Sequence, residues 1–217
     1  MEKLKNILLD LLFPTHCANC KAKGPELCPD CAHNMPYPDQ ENMENIFASF
    51  QYQDPTIKKL LHALKYYNKK HVGNLLGRYI YERLSEEISE LYTFSSGSPI
   101  LLIPVPLSTQ RFKERKYNQA KLIAQGVIKS DTNKIFQLAD NIVQKIKDTS
   151  PQARIKNRQT RLQNVVGCFT IQNPEVVKGK TVIIIDDVTT TGGTIYEIMK
   201  ILKNSGAKKV VGFAVAH

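Results

Sequence analysis

Four consecutive apolar residues, Val182-Ile183-Ile184-Ile185, run directly into two carboxylates, Asp186 and Asp187. Val188-Thr189-Thr190-Thr191-Gly192-Gly193-Thr194 comes next. An uninterrupted β-branched run is what a strand buried on both faces looks like, and such strands belong to parallel sheets covered by helices. After the loop of hydroxyls and glycines, helical periodicity runs from about Thr194 to Asn204, with Gly206 as its stop. Strand, glycine loop and helix in that order make an anion site. The glycines let backbone N–H groups approach a phosphate, and the helix N-terminus adds its dipole. The hydroxyls of Thr190, Thr191 and Thr194 can donate to the same phosphate. A phosphate repels carboxylates, so Asp186 and Asp187 need another task. Accepting hydrogen bonds from ribose hydroxyls, or holding the waters of a magnesium ion, would suit them. No lysine follows the glycines as in a Walker loop, and the G-x-G-x-x-G spacing of dinucleotide sites is missing. A plain strand–helix turn with an aspartate cap explains one Asp and one Gly, but not this density of acids, threonines and glycines.

The remaining pattern agrees with that architecture. Ile100 to Val105 is a second continuous apolar run, ending in Pro104 and Pro106, and a basic helix is predicted from about Thr109 to Lys129. Ile142 to Ile146 and Val165 to Ile171 read as strands, and Val210 to Val215 as a last one. Strands alternating with helices imply a parallel α/β sheet. Upstream, residues 34–45 are polar and proline-rich, as in a linker. Ile46 to Tyr52 alternates like a strand. Asp54-Pro55 opens a helix whose apolar stripe is Ile57, Leu60, Leu61 and Leu64, and Lys65-Tyr66-Tyr67 closes it. A second helical pattern spans about Val72 to Leu91, and Asp148 to Leu162 is polar and basic with no apolar period.

Cys17 and Cys20 form one C-x-x-C and Cys28 and Cys31 a second. Two-residue spacing lets both thiolates of a knuckle reach one tetrahedral ion, so two knuckles complete a closed, structural zinc site. Disulfides are disfavoured in a reducing compartment, and a doubled redox motif lacks its strand–helix context. The lone Cys168 reads as a small buried hydrophobe. Leu4, Ile7, Leu8, Leu11 and Leu12 recur at helical spacing ahead of the knuckles. That stripe suits packing on the main domain, with peripheral membrane contact as the alternative.

Charge narrows the partner. The chain has 217 residues and a net charge of +10, and residues 99–180, with 15 basic and 5 acidic side chains, account for all of it. A partner carrying phosphates is the physical reason, against the plainer one of a solvated surface. Part of this charge sits beside strand ends suited to a small pyrophosphate, and only the surplus argues for a polymer. No apolar run approaches the roughly 20 residues that span a bilayer, and the N-terminus lacks signal-peptide features. The expected location is the cytosol.

The segment Val182 to Thr194 resembles the binding signature for phosphoribosyl pyrophosphate (PRPP) in type I phosphoribosyltransferases: four apolar residues, two acids and a T-G-x-T-type loop. Other segments extend the resemblance over nearly the whole chain: the four-cysteine head, Leu64-Lys65-Tyr66, Pro104-Val105-Pro106, Arg115-Lys116-Tyr117-Asn118-Gln119, and the stretch from Gln152 through Arg158, Arg161 and Asn164 to Phe169. Together they resemble the ComF family of ComFC-type competence proteins. The resemblance implies a type I phosphoribosyltransferase fold with a small N-terminal zinc-binding head. It divides the chain into a helix and zinc finger at 1–40, a helical hood or linker at 41–98, and a phosphoribosyltransferase core at 99–217. It implies that Asp186 and Asp187 bind ribose and organise Mg²⁺, and that Thr189, Thr190, Thr191, Gly192, Gly193, Thr194 and Lys116 complete the PRPP site. Arg111 and Arg115 join the two acids as the catalytic set by facing pyrophosphate, and Arg154, Arg158 and Arg161 fall where such enzymes carry a mobile flap. Family members show R-G-[FY]-N-Q where this chain has Lys116 in place of the glycine, which adds a charge and alters the backbone demands there. The implied role is natural transformation, with single-stranded DNA and other competence proteins as partners. Two alternatives remain: an active phosphoribosyltransferase of nucleotide salvage, and a non-catalytic PRPP-sensing regulator.

Overall fold

The computed structural model of the chain describes residues 15–38, 43–147 and 164–217. The leucine stripe at residues 4–12 and the arginines at 154, 158 and 161 lie outside the described residues. A short helix α1 (Pro29–Asn34) in the cysteine head is followed by β1 (Ile46–Phe50), α2 (Pro55–Tyr66), α3 (Lys70–Arg83) and α4 (Ser85–Phe94). Then come β2 (Ile100–Pro104), α5 (Thr109–Arg115), α6 (Gln119–Ser130), β3 (Phe136–Leu138), β4 (Val143–Lys145) and β5 (Phe169–Ile171). β6 (Thr181–Val188), α7 (Gly193–Asn204) and β7 (Lys209–Ala216) complete the order.

Five strands form one sheet in the order β1-β7-β6-β2-β3, and every pairing is parallel. β4 and β5 pair only with each other, antiparallel, as a separate ribbon. The buried runs at 100–104 and 182–185 are therefore neighbours at the centre of the sheet, as continuous apolar strands should be. Pleating sends Ile183, Ile185, Leu102 and Phe213 to one face, against α2, α3, α6 and the cysteine head. It sends Val182, Ile184, Leu101 and Ile103 to the other, against α7 and the ribbon. Val182 to Ile185 are fully buried, each burial stabilising by roughly 1.5–3 kcal/mol.

The sheet draws on both sides of residue 99, because β1 pairs with β7 along Ile46–Phe50. Residues 43–98 are joined to the rest of the described chain a second time through α3 and α6. A Cβ on Gly77 would stand 2.1 Å from the Ile123 carbonyl, and one on Gly126 would stand 2.4 Å from that of Asn74, so two helix backbones touch where only glycine fits.

Two predicted helices are broken. The long basic helix is two, because Lys116 adopts a left-handed conformation (φ 65°) that caps α5, and Asn118 then caps α6 by accepting from the N–H groups of Ala120 and Lys121. The Val72–Leu91 pattern divides at Leu84, whose dihedrals (φ −108°, ψ 30°) leave the helical range between α3 and α4. Apolar spacing survived both interruptions, so periodicity alone did not register them. The Asp54 cap is as expected, its carboxylate accepting from Thr56 and Ile57 at 2.7 and 3.1 Å.

Candidate functional site

The chain leaves β2 toward β3 on one side of the sheet and leaves β6 toward β7 on the other. The crevice between the carboxyl ends of β2 and β6 is thus the topological switch point, where open α/β sheets bind ligands. β2 ends at Pro104, opposite Ile185, and Val105 still donates to the Ile185 carbonyl at 2.9 Å. β6 continues through Val188, paired only with β7, with Asp186 opposite Ala214. The strand therefore does not stop at the acids, as its apolar run suggested. Asp186 and Asp187 sit where the β2 side has ended and the β7 side still holds the backbone rigid.

The period of two sends Asp187 toward the face of Ile183 and Ile185, where α2 lies. There its carboxylate meets the Lys65 ammonium at 3.0 Å, with 20% of the lysine side chain and 14% of the aspartate side chain exposed. Asp186 accepts from the backbone N–H of Asp187 at 2.8 Å. Burial raises the Asp186 carboxyl, the adjacent Asp187 charge raises it further, and the counteracting Asp187 N–H, Lys65 and Arg111 leave it pushed up to about 7. Arg111 is the smallest of these influences on Asp186. It sits in the first turn of α5, where Ser108 caps the helix by accepting from the Arg111 N–H at 3.4 Å.

Arg115 lies over the Tyr66 ring at 5.5 Å, and Lys116 is exposed at the α5 cap. The Tyr117 hydroxyl donates to the Leu64 carbonyl, tying the turn between α5 and α6 to the last turn of α2. Tyr117 is buried by this, whereas Tyr66 and Tyr67 are exposed. Gly192 takes φ 73° as the cap of α7, and a Cβ there would meet the Tyr196 ring at 2.5 Å. Thr190 is exposed, Thr191 and Thr194 half-buried, and Gly193 opens α7. Thr189 stands apart: it is buried and its N–H donates to the Ala216 carbonyl. The His217 ring reaches the loop, with Nε2 3.1 Å from the Thr190 carbonyl oxygen. Cys168 is buried, as its apolar setting implied.

The sulfurs of Cys17, Cys20, Cys28 and Cys31 lie within 4.8 Å of one another. Sulfurs on a tetrahedral ion at about 2.3 Å are roughly 3.8 Å apart, and those of Cys20 and Cys28 are 3.7 Å apart, so the donor set fits a four-coordinate metal. Burial pushes the Cys17 thiol up, but backbone N–H groups of Cys28, Cys20 and Asn19 outweigh it and bring it to about 6, as a thiolate ligand requires. The head is anchored by a buried guanidinium. Arg83 donates to the carbonyls of Ser49, Ala32 and Met35 at 2.8, 2.6 and 2.9 Å and stacks 3.9 Å from the Tyr37 ring. Tyr79 donates to the Leu27 carbonyl at 2.7 Å.

The sequence assigns no role to Arg83 or His217, and it marks Lys65 only within the Leu64-Lys65-Tyr66 segment of the family resemblance, without a site role. Lys65 was visible as the end of an amphipathic helix, but charge on a helix end does not say which strand it faces.

Residues 120–217 match the model of the phosphoribosyl transferase domain. The DNA utilization protein YhgH of Shigella flexneri is 30% identical over 156 residues, covering 72% of this chain and 65% of that protein. Competence protein F of Haemophilus influenzae is 28% identical over 207 residues, covering 94% of this chain and 80% of its own length. The chain is thus similar, over most of its length, to proteins named for competence. Competence protein ComFC of Streptococcus pneumoniae, 24% identical, is likewise covered over 80% of its length. The fold is the phosphoribosyltransferase type of parallel sheet flanked by helices, with four cysteines clustered near the N-terminus. Among the described residues no helix is long and apolar enough to cross a membrane.

Proposed function

We propose that the chain binds PRPP, or a related phosphosugar, with Mg²⁺ at the β2–β6 crevice, and that it acts in the cytosol in the uptake and handling of single-stranded DNA during natural transformation. The observation that carries this is the carboxylate pair near the end of β6, at the β2–β6 switch point, followed directly by the left-handed Gly192 turn that opens α7. The names of the ComF relatives, in competence and DNA utilization, support the cellular role. Residues 1–40 then serve as a zinc-held head, 41–98 as a hood that lends β1 to the sheet, and 99–217 as the core.

In this reading Asp186 and Asp187 accept from the ribose hydroxyls. The N–H groups at Gly192 and Gly193 and the hydroxyls of Thr190, Thr191 and Thr194 donate to the 5′-phosphate, and Thr189 anchors the start of their loop. Arg111, Arg115 and Lys116 offer positive charge to pyrophosphate. The crowded carboxylates suit Mg²⁺, which when bound supplies charge to a departing pyrophosphate. The four cysteines suit zinc in a closed, structural role.

The test is calorimetric titration of PRPP with magnesium chloride into the wild type and Asp186→Asn/Asp187→Asn, paired with transformation frequency in a competent host. Binding and transformation lost together support the reading. Wild-type protein that ignores PRPP overturns the ligand, and a mutant with normal transformation overturns the role. Pyrophosphate release with candidate bases distinguishes turnover from binding alone. Single-stranded DNA affinity is expected to fall steeply with salt, since the contacts would be to phosphates.

A further inference from the structure

We propose that Lys65 is a pyrophosphate-binding residue, parked on Asp187 in the ligand-free protein and passed to the incoming phosphate when the sugar hydroxyls take that carboxylate. This rests on the phosphosugar reading above. Lys65 comes from α2, in the hood segment, and crosses to the last residues of β6 to make a 3.0 Å ion pair. Its approach is fixed on both sides. The Tyr117 hydroxyl holds the carbonyl of Leu64, immediately before it, and the Arg115 guanidinium covers the ring of Tyr66, immediately after it. Lys70 in turn lies 5.2 Å from the centre of the Tyr117 ring. The last turn of α2 is thus clamped to the turn between α5 and α6, which carries Lys116 and directly follows the helix that carries Arg111.

Charge balance drives the exchange. Without ligand, the ammonium of Lys65 is neutralised by Asp187. A phosphosugar brings hydroxyls, which compete for the carboxylates, and several negative oxygens. Once Asp187 accepts from hydroxyls, the ammonium of Lys65 is left shielded from water without its partner, which is costly. A pyrophosphate oxygen relieves that cost. Lysine suits such a handover, being a point charge on a flexible four-carbon stem, so it can move while α2 stays clamped.

The experiment titrates PRPP, inorganic pyrophosphate and ribose 5-phosphate, each with magnesium chloride, into wild type, Lys65→Gln and Lys65→Arg. Loss of a charged hydrogen bond predicts that Lys65→Gln weakens PRPP and pyrophosphate by about tenfold or more. Ribose 5-phosphate should bind unchanged or more tightly, since Asp187 no longer has to be released. Lys65→Arg should restore most of the PRPP affinity. Wild type that binds PRPP alongside a Lys65→Gln variant of equal affinity overturns the inference, and so does equal weakening of all three ligands, which marks a merely structural clasp. Wild type that binds none of the three overturns the phosphosugar reading, and the inference with it.

Discussion

Around the cysteine cluster every ligand atom comes from residues 17–31, and the groups that secure it are satisfied: Arg83 commits its donors to three backbone carbonyls, and Tyr79 to a fourth. Around the carboxylate pair the charged groups come from α2, α5 and β6, and they sit half-buried with the balance of charge unsettled. The head is a local device with its electrostatics closed, and the crevice is a long-range assembly with its electrostatics left open. A closed site holds a structural ion and a fold. An open one can exchange partners, which is what a substrate site needs.

The sharpest way to break this contrast is to remove the metal. Chelation, or Cys28→Ser, is expected to unfold the head and lower the melting temperature by more than about 5 °C, because metal affinity there is folding free energy. Calorimetry with metal content by mass spectrometry checks it, and an unchanged melt would show that the head stands without its ion. Arg83→Ala comes next. It strands three buried carbonyls, so a loss of about 3 kcal/mol or more in urea unfolding is expected. PRPP binding by the remaining folded protein should survive, since the Arg83 hydrogen bonds go to Ala32, Met35 and the β1 residue Ser49, none of which is placed in the PRPP site.

On the open side, Gly192→Ala forces a methyl group onto Tyr196 at a left-handed φ and should cost about 1–3 kcal/mol while loosening the loop. Urea unfolding and PRPP titration read the two effects separately. Asp186 gives a pH signature in metal-free buffer. Its folded-state value is raised to about 7, so between about pH 4 and 7 the folded chain holds a proton that the unfolded chain has lost. Its contribution to stability is full below that window and is lost as pH rises through it. Relative to Asp186→Asn, the wild type should therefore weaken across this range, by at most about 1.4 kcal/mol per pH unit. Parallel stability curves would show that the crevice is as well compensated as the head. The smallest effect belongs to Lys116→Gly. Replacing a left-handed lysine by the residue that tolerates φ 65° should stabilise by about 0.5 kcal/mol, visible as a small rise in urea midpoint.

That last position shows how far a motif can be read. In the sequence, Lys116 in place of the family's glycine reads as an added charge with altered backbone demands. The structure makes it the C-cap of α5, and a cap needs the left-handed conformation whatever side chain is present. The strand–glycine–helix unit was legible because buried runs, adjacent acids and loop glycines each arise from local demands. The cysteine knuckles were legible for the same reason. Lys65, Arg83 and the glycine contact between α3 and α6 were not, because each depends on which helix lies over which strand.

From the chain alone came the parallel α/β class, the four-cysteine cluster, the carboxylates at a strand end and the surplus of positive charge. These are properties of spacing within about a dozen residues, where periodicity and side-chain chemistry suffice. Tertiary structure alone decided that β1 joins the sheet beside β7, that β2 stops one residue short of Asp186, and that a lysine from α2 closes on Asp187. Such contacts join residues far apart along the chain. They are settled by how the apolar faces of whole elements bury one another, which no short stretch of sequence encodes.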